Sequence, residues 1–129
     1  MISKIKEAGL EKRIIFLGRK PFKDLPALYQ AMSVVAALSR NEGYGLTPFE
    51  GMASGAAVLT SKEGVWDELI RDGVDGYVVE TDNVSQTAEK LDLLIIQLTQ
   101  AILHKYILIK VINTQKTHGI NLIGTKYFF

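Results

Sequence analysis

Short apolar runs, set beside glycines and separated by helix-spaced patterns, constrain this chain more than any other feature. Ile14-Ile15-Phe16-Leu17 is closed by Gly18, and Tyr77-Val78-Val79 follows Asp75-Gly76. Between them lie two more compact runs, Val34 to Leu38 and Ala56 to Leu59. All four read as buried strands. Leu25, Leu28, Tyr29 and Met32 recur at helical spacing behind Asp24, a residue suited to cap a helix over Leu25 to Met32. Val65 to Ile70 reads as a short helix ending before Asp72-Gly73, and Thr87 to Leu98 as a longer one. Strands alternating with helices predict the α/β class, a parallel sheet flanked by helices. At 129 residues the chain is one domain and long enough to bury a core.

The pattern does not continue to the end. Nine of the eleven glycines lie at or before Gly76, and only Gly119 and Gly124 come later. Residues 101–129 are dominated by Ile, Lys, Asn, Tyr and Phe, the residue types that AT-rich codons encode. Ile107-Leu108-Ile109-Lys110-Val111-Ile112 could pass for a strand, and Lys126-Tyr127-Phe128-Phe129 ends the chain on aromatics. We expect residues 99–129 to be an atypical tail outside the fold, under little structural selection. An ordinary edge strand and tail is the alternative.

Charge and composition exclude several functions. Fifteen basic residues face fourteen acidic ones, a net charge of +1, which gives no broad attraction to nucleic acid or to an anionic membrane. The absence of cysteine removes disulfides, thiolate metal sites and thiol catalysis. The first residues, Met1 to Lys6, are charged and amphipathic, unlike a signal peptide, and no stretch approaches the roughly 20 apolar residues of a membrane span. A cytoplasmic location is the expectation. No residues have metal-ligand spacing; His104 and His118 lie in the tail and are read as incidental.

Chemistry concentrates in Ser39 to Gly55. The segment follows the strand Val34–Leu38 and opens a helix. Thr47, Pro48 and Glu50 stand where an N-cap, an N1 proline and an N3 acid belong, and Gly55 where a helix closes. Gly43 and Gly45 let the loop bring backbone N–H groups close to a ligand. A glycine loop running into a helix start gathers unpaired donors, which suits a diphosphate. It also lies at the carboxyl end of a strand, where open α/β sheets bind ligands. Two acids frame it, Glu42 and Glu50, and carboxylates accept strong hydrogen bonds from sugar hydroxyls. Each has a plainer reading: Glu50 as the back-bonding acid of a capping box, Glu42 as a solvated loop acid.

The string Glu42-Gly43-Tyr44-Gly45-Leu46-Thr47-Pro48-Phe49-Glu50 resembles the Glu-x7-Glu motif of retaining glycosyltransferases with two Rossmann-like domains, the GT-B architecture. Ile15 to Gly18, Leu25 to Tyr29, Ser39-Arg40, Glu50 to Gly55 and Glu68 to Gly76 match the family's pattern in order, over roughly residues 5 to 95. The resemblance implies that residues 1–98 form part of a Rossmann-like nucleotide-sugar donor-binding domain. It implies donor-sugar and diphosphate binding by Glu42, Gly43, Tyr44, Gly45 and Leu46, and ribose binding by Glu50. It assigns no catalytic residue, no metal and no cofactor.

The wording of the motif is most similar to bacterial mannosyltransferases of lipopolysaccharide-core assembly, which implies a GDP-mannose donor and transfer with retention. A glycolipid or oligosaccharide acceptor would be held by a domain with no counterpart here, and peripheral membrane association would belong to the intact enzyme only. The family's first donor-domain strand and helix, with basic residues that grip the diphosphate, also lack counterparts, so the chain is expected to be truncated and inactive alone. A non-catalytic nucleotide-sugar-binding module, or half of a split enzyme, is the alternative. A generic dinucleotide or P-loop binder is disfavoured, because neither glycine signature is present. Gly51 stands where the family usually has alanine, at a cost of about 1 kcal/mol within a helix. Ala56-Ala57 replaces the common Pro-Val.

Overall fold

The computed structural model describes residues 2–118, with side chains through 102. In chain order the elements are α1 (Ile2–Glu7), a 3-10 turn (Phe22–Asp24), α2 (Leu25–Gln30), β1 (Val34–Ala37), α3 (Thr47–Ala53), β2 (Ala57–Ser61), α4 (Trp66–Leu69), β3 (Tyr77–Val79) and α5 (Val84–His118). The three strands form a parallel sheet in the order β1-β2-β3. Val34 stands opposite Ala57, and Ser61 opposite Val79. This is the expected α/β architecture, with helices in the crossovers as parallel strands require.

Strand geometry decides which residue meets which layer, because successive side chains point to opposite faces. Val35, Ala37, Val58, Trp66 and Ile70 make one core cluster, with Tyr29, Phe49 and Met52 packed against it. Leu59, Val79 and Leu94 make the other, with Leu91 of α5 beside them. The central strand is therefore covered on both faces. The pairing of α3 with β1 is close because residue 51 is glycine: a Cβ there would sit 2.8 Å from Val35 Cγ2. The cost of glycine inside the helix is offset by that contact, since alanine would force Val35 to move.

Helix ends follow local rules, though not always those expected. At the end of α3, Gly55 N–H donates to Met52 O and Ala56 N–H to Gly51 O, both at 3.0 Å, the paired bonds of a Schellman closure. At the start of α5, Asn83 Oδ1 accepts from Gln86 N–H at 3.0 Å, an N-cap that the sequence reading missed. Between α4 and β3, Arg71 clamps Asp75 with two 2.7 Å hydrogen bonds and holds that carboxyl down at about 2.

Two expectations about the elements, and one alternative, need correction. Residues 14–17 form no strand: Ile14, Ile15, Phe16 and Leu17 are 37, 81, 61 and 45% exposed. No described segment pairs with them, and an apolar run without a ladder partner has nowhere to place its backbone polar groups. Asp24 makes no side-chain cap; α2 is entered through the 3-10 turn instead. The alternative of an edge strand over residues 107–112 is not met: α5 runs through His118 and these residues are helical. A helix satisfies its own backbone, whereas a strand there would need a sheet edge. Lys126 to Phe129 lie outside the described residues. Among the described residues, no helix is long and apolar enough to cross a membrane.

Candidate functional site

The loops leaving β1 and β2 interlock at the carboxyl ends of the strands. Ser61, the last residue of β2, donates its hydroxyl to Ser39 O at 2.7 Å and ties the root of the first loop to the second strand. Gly64, in the loop after β2, has φ +54°, and a Cβ on it would collide with the carbonyl oxygens of Glu42 and Gly43. Only glycine permits both the left-handed backbone and that approach.

The loop turns on Gly45, with φ +52°. Trp66, at the start of α4, donates its indole N–H to the Gly45 carbonyl at 2.9 Å. A Cβ on Gly45 would meet the Trp66 ring at 2.5 Å and the Glu42 side chain at 2.7 Å, so two side chains leave it no room for one of its own. Glu42 lies over Gly45, with the Ser39 hydroxyl 3.5 Å from its carboxylate. Tyr44 and Leu46 are exposed, and the Tyr44 ring leans toward Phe49 at 6.3 Å between centroids. Among the described residues no acceptor meets the N–H groups of Gly43, Tyr44, Gly45 or Leu46. Four backbone donors are thus gathered on one loop.

Glu50 is set differently. Its carboxylate accepts a hydrogen bond from the Tyr29 hydroxyl at 2.9 Å, across to α2. Burial, followed by the hydrogen bond and charge of Glu50, pushes the Tyr29 phenol above its usual range, so it stays a donor. Here the expected capping box fails. The N-cap is Leu46, with no side-chain cap bond, and Thr47 is already helical. Glu50 therefore falls one position beyond N3, the place from which an acid reaches back to the cap. It instead lines a hollow of about 190 Å³ with Phe22, Leu25, Pro26, Tyr29, Ala53 and Ser54.

Glu42 is not part of that hollow's wall. A second hollow, of about 280 Å³, opens over the strand ends and is walled by Leu38, Ser39, Ser61, Val79, Asp82 and Thr87 among others. Its rim carries an exposed ion pair, Arg40 to Asp82 at 2.7 Å. The sequence reading placed Ser39 in the motif segment without giving it a role and missed Ser61, although their place just at the strand ends was a usable signal. It also missed Tyr29 as a partner of Glu50 and Trp66 as a partner of Gly45; both contacts span 21 residues and leave no local mark. Among the described residues no cluster of acids and histidines could hold a metal ion.

Comparison with known proteins places this geometry. Residues 1–105 match the family model of the glycosyl transferases group 1, a match that runs past Leu98. A lipopolysaccharide core biosynthesis mannosyltransferase, LpcC of Rhizobium leguminosarum bv. viciae, is 50% identical over 72 residues, covering 56% of this chain and 20% of the relative. The crystal structure of the C-terminal domain of a group 1 glycosyl transferase, LpcC of Francisella tularensis, is 44% identical with a TM-score of 0.67, covering 73% of this chain and 49% of that one. The Anabaena HepE structure in complex with UDP-glucose is 30% identical with a TM-score of 0.70, covering 76% of this chain and 27% of that one. The chain thus spans about a fifth of the length of the curated relative. With the motif loop on the strand ends of a matching fold, this chain belongs to the group 1 glycosyltransferases.

Proposed function

We propose that this chain is the donor-binding part of a mannosyltransferase of lipopolysaccharide-core assembly, working on GDP-mannose with retention at the anomeric carbon. Residues 1–98 carry the donor domain in this reading. The observation that carries it is the set of acceptor-free amides from Gly43 to Leu46, flanked by Glu42 and Glu50. Such amides offer hydrogen bonds to diphosphate and sugar oxygens. Glu42, beside the loop, accepts from hexose hydroxyls. Glu50, with one oxygen engaged by Tyr29, keeps its remaining acceptor capacity for the ribose hydroxyls. The names of the relatives support the sugar and the pathway, and the UDP-glucose complex of HepE supports a nucleotide-sugar donor.

The acceptor, a glycolipid or oligosaccharide, is held by a further domain of the intact enzyme, which works in the cytoplasm with at most peripheral contact to a membrane. Transfer needs both domains closed around the substrates, so this chain alone is expected to bind and not to transfer. No metal or cofactor takes part in donor binding.

The test is a calorimetric titration of the chain with GDP-mannose, UDP-glucose, GDP and UDP. Binding on the order of millimolar is expected, with GDP-mannose favoured. Glu50→Gln should weaken it while leaving the melting temperature nearly unchanged, since the amide oxygen can still accept from Tyr29. Equal binding by both proteins would remove Glu50 from the ribose site. Mannosyl transfer by the chain alone, with acceptor supplied, would overturn the two-domain requirement.

A further inference from the structure

We infer that Trp66 is the positioning residue of the glycine loop, using its indole N–H to fix the direction in which the Leu46 amide points. The inference rests on the donor-site reading for its functional consequence and on geometry alone for its structural one.

Trp66 is 1% exposed and sits at the start of α4, directly after the loop that leaves β2. Its ring packs against Gly45 and its Nε1–H donates to the Gly45 carbonyl at 2.9 Å. A trans peptide unit is planar, so its C=O and the following N–H point in opposite directions. Holding the Gly45 carbonyl toward the buried indole therefore turns the Leu46 N–H away from it. That N–H meets no acceptor among the described residues, and Leu46 itself is exposed.

Glycine is otherwise a poor residue for fixing a direction, because it visits left-handed and right-handed backbone with similar ease. Gly45 needs an external restraint to stay at φ +52°, and the Trp66 indole and the Glu42 side chain both stand against its Cβ position. Of the two, only Trp66 makes a hydrogen bond to the loop backbone. The ligand class that this arrangement serves is an anionic oxygen of a nucleoside diphosphate sugar. Trp66, being buried behind the loop, acts through the Gly45–Leu46 peptide.

The chain contains a single tryptophan, so its indole N–H gives one assignable resonance. The experiment compares wild type with Trp66→Phe by backbone amide relaxation and by titration with UDP-glucose and GDP-mannose. In the wild type, the amides of Tyr44 to Leu46 should show order parameters near those of rigid backbone, about 0.85. In Trp66→Phe they should fall toward about 0.6, while β2 stays unchanged, and donor affinity should drop roughly tenfold, the loss of one well-made hydrogen bond. Unchanged loop order in the variant, or equal donor affinity with an altered loop, would overturn the inference. A wild type that binds no nucleotide sugar, yet loosens its loop on substitution, would defeat the donor-site reading and leave the positioning of the peptide standing.

Should Trp66→Phe fail to fold, the wild type alone decides. Its indole N–H should exchange slowly with solvent and should shift together with the Leu46 amide when UDP-glucose is added. An indole N–H exchanging at the rate of a free side chain would overturn the inference.

Discussion

The strand β2, which mixes apolar residues with Thr60 and Ser61, and the wholly apolar residues 14–17 meet opposite fates. In β2, Val58, Leu59, Thr60 and Ser61 are all buried, with a strand on either edge and a helix layer on either face. Ile14 to Leu17 form no ladder and remain exposed. Side-chain hydrophobicity does not separate them, since Ile and Phe gain at least as much from burial as Val. The backbone does. Each N–H or C=O buried without a partner costs about 1–3 kcal/mol, which offsets the gain from its side chain. An apolar run becomes a buried strand only where neighbours supply both hydrogen bonds and a covering layer.

The largest expected effect tests this contrast directly. Leu59→Ala should destabilise the domain by about 2–5 kcal/mol, the usual cost of a cavity in a packed core. Ile15→Ala should change stability by no more than about 0.5 kcal/mol, as at other exposed positions. Urea denaturation of both variants measures the difference. Comparable losses would mean that residues 14–17 pack in solution, and the contrast would collapse.

A smaller effect separates the glycines that follow the two regions. Gly18 and Gly64 both have left-handed backbone, with φ +62° and +54°. A Cβ on Gly18 meets nothing within 4 Å, whereas on Gly64 it meets the backbone of residues 42 and 43. Gly18→Ala should therefore cost only the conformational penalty, about 1–2 kcal/mol. Gly64→Ala should cost more and should also displace the motif loop, visible as amide shifts confined to residues 42–46. Equal costs, without loop shifts, would show that the two loops are not interlocked.

The same contrast explains what could be read from the sequence. The alternation of elements was legible because it rests on local patterns: Val34–Ala37 and Tyr77–Val79 fall within a residue of expectation. The motif loop between β1 and α3 was legible because its glycines and acids are contiguous. Residues 14–17 were misread, and the alternative strand at 107–112 failed, because strand formation depends on a partner elsewhere in the chain. Thr47 was misread as a cap because a helix that starts one residue earlier changes the role of every position after it. The bonds Tyr29–Glu50 and Trp66–Gly45 were out of reach for the same reason as the false strand, being set by the tertiary fold.

The smallest expected effect sharpens the comparison inside β2 itself. Thr60 and Ser61 are both buried polar residues, yet only Ser61 has a hydrogen-bonded side chain, donating to Ser39 O at 2.7 Å. Thr60 Oγ1 has no partner among the described residues. The strand thus buries a hydroxyl for its shape, and the desolvation of that oxygen is uncompensated. Thr60→Val keeps the β-branched outline and removes the polar atom, so stability should rise, by about 1 kcal/mol. Ser61→Ala should do the reverse at similar size, because it deletes a bond and leaves the Ser39 carbonyl unpaired. Thermal melts of the two variants should therefore move in opposite directions. A loss of stability in Thr60→Val would mean that its hydroxyl is satisfied in solution, and that β2 tolerates no uncompensated polar group at all.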